Sequence, residues 1–419
     1  MKYEIAFRIL TVIAIASNIS VAQDSWQPVG PSNSAIKSFA VNEQNIFAGS
    51  YCDQGGVFLS KDSGDSWEEF NTGLPQFSIS INALAITDNE IYAGLNEGSG
   101  IYSSGENVAN WNSVTLPMQA SITSLVTGGE PWATVPDKAI FAGSGSGVIK
   151  SLDNGMNWNP FNNGLAPQTI NSIAIQDTNI FVATYNGIYK LTYSVPSWNR
   201  SNVGIDQDDI ILSLGIKGQN IFAGAHFQGI IYISSDAGKT WNGFRDGLPQ
   251  IEDITFNSFE FKGDEIFVAA SGEIGGVFRS TTNGKTWVDF NLGFPGSTNV
   301  FALTKFGGYL YAGTNYGVYR RELLTHSNEI EGTEGGLSVY PNPGQGDFTI
   351  TLKSNETEIV EILCYNYLGQ NIFSNKYYSL DNGELKADLS LTEVPNGIYI
   401  IQIKCNGKSV FRKVVIENY

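Results

Sequence analysis

The chain has 419 residues, with 24 basic and 41 acidic side chains, a net charge of −17 and two histidines. That charge, without any basic cluster, excludes nucleic acid and anionic membrane surfaces as partners. His226 and His326 alone leave no HExxH zinc helix and no Ser-His-Asp set, while 46 glycines and a hydrophobic fraction of 42% suit a β-rich protein with many turns.

Lys2 and Arg8 flank the front of the apolar run Ile9 to Ala16, and Ser20-Val21-Ala22 follows. This is the pattern of a secretory signal peptide over 1–22, so Gln23 is expected to begin the mature protein. The apolar run is too short to span a bilayer. No cysteine follows the cut to take a lipid anchor.

Tryptophans then mark a period. Seven of the eight fall at 26, 67, 111, 158, 198, 241 and 287, so the gaps are 41, 44, 47, 40, 43 and 46. Four of them close a frame of the type Ser-x-Asp-x-Gly-x-Thr-Trp, at Ser60 to Trp67, Ser151 to Trp158, Ser234 to Trp241 and Ser280 to Trp287. The last of these carries Thr282 in place of Asp, and decayed copies end at Trp111 and Trp198. A second motif, Ile46-Phe47-Ala48-Gly49, returns in every repeat as far as Leu310-Tyr311-Ala312-Gly313. A period in the forties with four short strands per repeat marks a β-propeller.

Within the box, Asp62, Asp153 and Asp236 are expected to fold their carboxylates onto backbone N–H groups. Gly64, Gly155, Gly238 and Gly284 permit a positive φ, and Trp67, Trp158, Trp241 and Trp287 cover the turn. The frame resembles the Asp-box, or BNR repeat, of sialidases, sortilin-type receptors and photosystem II assembly-factor propellers. That resemblance implies a structural turn on the rim, away from any binding site.

The seventh repeat stops after Gly317-Val318-Tyr319-Arg320 with no box of its own, while Asp24 to Val29 reads as a fourth strand lacking its first three. The expectation is an all-β chain: a seven-bladed propeller over 23–321, closed by the N-terminal strand so that no edge is left free.

Antiparallel pairing puts the box turns on one face and the second-to-third and fourth-to-first connections on the other. The second face collects the candidate binding residues Tyr51, Glu97, Tyr185, His226, Phe227, Glu273 and Tyr316. Aromatics there suit stacking on sugar rings, and Asp53, Glu97, Asp208, Glu252 and Glu273 contain candidates for the carboxylate pair of glycoside hydrolysis. A sialidase is disfavoured, because the arginines that would hold a carboxylate lie on expected third or fourth strands: Arg200, Arg245, Arg279, Arg320 and Arg321. Asp206 to Asp209 outlines a calcium loop but lacks the full Asp/Asn ladder. No metal and no cofactor are expected.

Glu322 to Gly336 reads as a polar, Gly-rich linker, and 337–419 as a small Ig-like β-sandwich. Cys364 lies in the strand run Ile359 to Tyr365, so a buried free thiol is favoured over a bridge to Cys405. The tail resembles the type A sorting domain of the type IX secretion system, in Tyr340-Pro341-Asn342-Pro343, Phe348, Tyr365-Asn366-Tyr367-Leu368-Gly369-Gln370, Pro395-Asn396-Gly397-Ile398-Tyr399 and Lys413-Val414-Val415-Ile416. The resemblance implies export through the periplasm to the cell surface or the medium. It also implies recognition by the translocon and its sortase, and attachment to surface lipopolysaccharide or release. The expected product is a secreted or surface propeller that binds a glycan, protein or matrix ligand. A secreted glycoside hydrolase is the alternative.

Overall fold

The computed structural model describes residues 25–323, apart from 33, 52–54, 76–79, 88–89, 97, 129–138 and 193–194. In the tail it describes 337–416, apart from 341–344, 354–359, 366–370, 378–383, 393, 396 and 406–407. The expected signal peptide, most of the expected linker, Pro341 to Pro343 and Asn366 to Gln370 lie outside the described residues.

Every named element is a β-strand. The aromatic motif strands, such as Ile46–Tyr51, Asn179–Thr184 and Tyr309–Thr314, are buried on both faces over most of their length. A short, continuously apolar run of that kind is a strand packed on both sides. Each pairs antiparallel with the strand before and after it: Asn179–Thr184 lies between Ile170–Gln176 and Gly187–Thr192, with Val195–Arg200 outermost. Gln27–Pro28, at the start of the region, pairs with Gly317–Glu322 at its end, beside Tyr309–Thr314 and Val300–Phe306. The first strands of successive repeats lie against one another, and Ala35–Val41 also lies against Val300–Phe306. This is β-propeller architecture.

Two details differ from the sequence reading. The outermost strands do not open at the tryptophans and are short, two residues at Glu68–Glu69, Asn112–Ser113, Asn159–Pro160 and Val288–Asp289. Trp67, Trp111, Trp158, Trp241 and Trp287 instead precede their strands, and the backbone N–H of several reaches the previous repeat: Trp241 to Val203 O at 2.8 Å, Trp287 to Asp246 O at 2.9 Å. In addition, Glu322 belongs to a strand and Leu323 is buried, its N–H bonded to Gly308 O. The packed propeller therefore runs past Arg321.

The box turns are built as their residues suggest, with one addition. The leading serines Ser60, Ser151, Ser234 and Ser280 are almost wholly buried. The hydroxyl of each accepts the glycine N–H of its turn, at 2.7 Å for Gly64 and 2.9 Å for Gly238. In the third copy Asp236 Oδ1 accepts from Ser234 Oγ, Lys239 N and Thr240 N, and Oδ2 from Thr240 Oγ1. The residue before each glycine is left-handed as well: Ser63, Asn154, Ala237 and Asn283 have φ between 55° and 57°. Paired hydrogen bonds from serine and aspartate hold that conformation in place.

The tail forms two sheets, one of Leu337–Tyr340, Asp347–Lys353 and Glu384–Ser390, the other of Asn371–Tyr377, Val360–Tyr365, Gly397–Cys405 and Lys408–Ile416. Phe348, Ile362, Ile401, Val414 and Ile416 fill the space between them. Cys364 is a buried free thiol in that core, pushed up to about 12 by burial. It packs as a small apolar side chain.

The hydrogen bonds to Asp236, Thr240 first among them, hold its carboxyl down at about 2. A carboxyl depressed in the folded state stabilises above its unfolded value near 4 and loses that contribution as pH falls toward 2. Asp236→Asn should therefore flatten the stability profile between about pH 4 and pH 2, as read from urea midpoints. At pH 7, Ser234→Ala should cost about 1–3 kcal/mol, because it orphans the Gly238 N–H. Trp241→Ala should cost about 3–5 kcal/mol through the cavity it opens.

Candidate functional site

Each first strand carries one extra residue. The register slips between Ile36 and Ser38, Ile81 and Ala83, Ile122 and Ser124, Ile170 and Ser172, Ile211 and Ser213, Phe256 and Ser258, and Val300 and Ala302. The bulged residues are thus Lys37, Asn82, Thr123, Asn171, Leu212, Asn257 and Phe301. All are partly exposed, and each follows a buried residue. They lie at the beginning of the innermost strands, beside the second-to-third connections, where a bulge re-aims a side chain.

These bulges stitch neighbouring repeats together. Asn82 Nδ2 donates to Ile122 O at 3.0 Å, Asn171 Nδ2 to Ile211 O at 2.8 Å, Asn257 Nδ2 to Val300 O at 2.8 Å, and Thr123 Oγ1 to Ile170 O. Where the bulged residue has no suitable donor, the next serine substitutes: Ser213 Oγ reaches Phe256 O at 2.7 Å, and Ser38 Oγ is 3.5 Å from Ile81 O. Phe301 has no donor and Ala302 follows it, so among the described residues this bond is missing between Val300–Phe306 and Ala35–Val41. Lys37 fills the gap, its Nζ 3.3 Å from the Phe301 ring centroid and 5.6 Å from that of Tyr51.

The sequence-derived candidates divide around this ring. Tyr51, Tyr185, Phe227 and Tyr316 are 47%, 53%, 43% and 47% exposed, and Glu273 is exposed with its N–H on Asp253 O. Glu97, Asp53 and Cys52 lie outside the described residues. Tyr316 stands on a two-residue turn fixed by Thr314, whose Oγ1 donates to Gly317 O and accepts the Tyr316 N–H. Thr184 and Gly187 hold the turn carrying Tyr185 in the same manner.

His226 is not a loop residue. It ends the strand Asn220–His226 and bridges to Thr255, with Nδ1 2.5 Å from Thr255 Oγ1. Burial holds its pKa below the usual histidine value. Phe227 and Gln228 follow with φ of 67° and 58°. A bulky side chain in that region is strained, and here it stands out in solvent against the His226 ring, 3.6 Å between centroids.

In the loop Asp206 to Asp209, Asp209 is withdrawn from solvent. It is 3% exposed and accepts the Tyr232 hydroxyl at 2.5 Å, and burial raises its pKa. Among the described residues no group of three or more His, Cys, Asp or Glu is placed to hold a metal. A cavity of about 470 Å³ lies on the box side, lined by Lys190, Arg200 and Lys239 among others. Lys190 Nζ there already donates to Ala237 O, and Arg200 Nη2 to Asn186 O. These cations brace the rim.

The secretion system C-terminal sorting domain matches residues 338–417. It addresses the chain to the type IX secretion machinery, and so to the cell surface or the medium. Ulvan lyase NLR42 of Nonlabens ulvanivorans is 27% identical over 157 residues, which is 33% of this chain and 26% of that protein. The extracellular domain of the hybrid two-component system BT4673 of B. thetaiotaomicron superposes with a TM-score of 0.59 at 16% identity, over 80% of this chain and 45% of that one. YCF48 bound to a D1 peptide gives 0.58 at 14%, over 73% and 98%. The GH74 xyloglucanase of Xanthomonas campestris gives 0.55 at 13%, over 79% and 59%. The chain thus spans about a quarter of the curated relative and under half of the first structure. At these identities the structural likeness shows the fold, a β-propeller, and nothing finer.

Asn171→Ala should cost about 1 kcal/mol in a urea titration at pH 7, the net worth of one hydrogen bond. Asn257→Ala should add to it nearly independently, because the two sites share no partner.

Proposed function

We propose that this is an exported seven-bladed propeller that binds a glycan, protein or matrix component on the face opposite the boxes, a glycan being the ligand favoured here. Gln27–Pro28 completes the last blade, residues 23–323 form the ring, and 324–336 links it to the sorting domain over 337–419. The sorting domain is read by the translocon and its sortase, which cuts it away and leaves the ring on surface lipopolysaccharide or free. The supporting observation is the set of exposed aromatic rings Tyr51, Tyr185, Phe227 and Tyr316, two of which, Tyr185 and Tyr316, stand on turns fixed by a threonine hydroxyl. Exposed rings on rigid supports suit stacking against flat ligand faces, because little freedom is lost on binding.

Binding isotherms against a glycan panel test this. Replacing Tyr185, Phe227 and Tyr316 together with Ala should weaken whichever glycan binds by about tenfold or more, roughly 1.4 kcal/mol. An unchanged isotherm would refute the face assignment. The match to a lyase supports a second reading, polysaccharide cleavage at the same face. In that case Glu273→Gln should cost more activity than the aromatic substitutions do, and no product from any panel member would dismiss it.

Export has its own test. A chain ending after Leu323 should fold and stay in the periplasm of the native host, while residues 337–419 fused to an unrelated exported protein should carry it outward. Efficient appearance of the truncated chain at the surface would contradict the role given to the tail.

A further inference from the structure

Lys37 is the one cation in the ring of bulges, and it stands where the inter-repeat hydrogen bond is missing. Its ammonium lies on the face of Phe301 and near Tyr51. Ring quadrupoles attract a cation but do not neutralise it. Among the described residues no carboxylate pairs with Lys37, and its Nζ donates to no acceptor. Burial accordingly holds its pKa below the usual lysine value. A partly desolvated charge without a counter-ion is costly, and the cost is relieved when an anion arrives.

The surroundings indicate what kind of anion. Ala35–Val41 pairs with Ile46–Tyr51, so that Tyr51 faces Ala35, two residues from Lys37. Val300–Phe306 pairs with Tyr309–Thr314, which leads directly into the turn carrying Tyr316. Two phenol rings, each 47% exposed, therefore flank this joint, Tyr51 at the end of a strand and Tyr316 on the turn after one. On a chain of net charge −17 an acidic ligand gains nothing from the distant field. At physiological salt that field is screened beyond about 8 Å, so the local cation decides.

We propose that Lys37 is the anion-recognition residue of the loop face, receiving the carboxylate or sulfate group of an acidic glycan whose sugar rings rest on Tyr51 and Tyr316. This deepens the glycan-binding reading and depends on it. Lys37 donates its N–H bonds to the anion while Phe301 keeps the ammonium from sinking into the joint between repeats.

The experiment is calorimetric titration of the full mature chain with polygalacturonate, alginate, a sulfated galactan and neutral xyloglucan. Lys37→Met removes the charge and keeps the volume, and Lys37→Arg keeps the charge. The wild type is expected to bind at least one of the three acidic polymers, about tenfold weaker in Lys37→Met and largely retained in Lys37→Arg, a loss of roughly 1.4 kcal/mol. Selectivity between the uronate polymers and the sulfated galactan identifies the group received. Because Lys37→Met deletes an unpaired charge, its thermal midpoint should not fall, and mass-spectrometric mapping should show the bound polymer protecting Lys37 from acylation in the wild type. Binding of the acidic polymers undiminished in Lys37→Met, or no protection of Lys37, overturns this inference and leaves the wider glycan reading standing. Failure of all four polymers to bind overturns both. Lys37-dependent capture of an acidic peptide in their place overturns the glycan assignment.

Discussion

Wherever one repeat meets the next, backbone lies against backbone. A Cβ on Gly247 would fall 1.9 Å from the Trp287 carbonyl oxygen, and one on Gly293 would fall 2.4 Å from that of Trp26. Real side chains do not make such contacts, so glycine with a positive φ is obligatory at both places. The close approach lets the Trp N–H reach the carbonyl of the residue before the glycine, Asp246 or Leu292. Gly293 and Trp26 lie at opposite ends of the propeller sequence. The contact that joins sequence neighbours elsewhere therefore also joins segments far apart in sequence, and Tyr311 and Arg320 add to it by donating to Ser63 O. In a stack of repeats held by nearest-neighbour terms, such a contact adds one more joint of the same kind.

The same packing decides which surfaces are available for binding. On the rim, both oxygens of Asp236 are committed to its own turn, and the serine hydroxyls are buried beneath it. A carboxylate with its acceptor capacity filled has little to offer a ligand. On the opposite face Thr184 and Thr314 fix their two-residue turns by bonds to backbone, and the Tyr185 and Tyr316 rings on those turns stay exposed. Tyr185 and Tyr316 occupy equivalent turns and differ in what surrounds them.

The propeller was legible in the sequence because its signals are local. A box is eight residues, an aromatic strand four, and each is a short-range hydrogen-bonding or burial pattern that recurs. The bulges were not legible. One extra residue shifts the alternation of a strand by one, so Lys37 and Asn171 read as polar positions in half-buried strands. Only the pairing register shows that they share one station in seven strands. Lys37 and Phe301 are separated by most of the propeller sequence, and no spacing rule relates them. His226 and Asp209 were not legible for the same reason: Thr255 and Tyr232, the partners that fix them, sit on other strands. The tail was legible through its ordered motifs. Phe348 and Tyr399 prove to be core residues, Tyr399 also donating to Pro395 O at 2.7 Å.

Repetition itself makes the joint between Val300–Phe306 and Ala35–Val41 informative. A side chain that spans two repeats in the interior of an array is constrained twice, once by each neighbour's copy of the same bond. Asn82, Thr123 and Asn171 satisfy that demand with an amide or a hydroxyl, and Ser213 does so in place of Leu212. Where Val300–Phe306 meets Ala35–Val41, the ordinary donor is replaced by Phe301, and a lysine enters from the other side. The stabilising bond given up there is worth about 1 kcal/mol, and an ammonium with no carboxylate partner among the described residues adds to the loss. Nothing in the packing of the ring requires that exchange, since asparagine fits the equivalent station elsewhere. A departure that weakens the fold beside exposed aromatic rings is the kind of local inconsistency that the proposed recognition of an anion would account for.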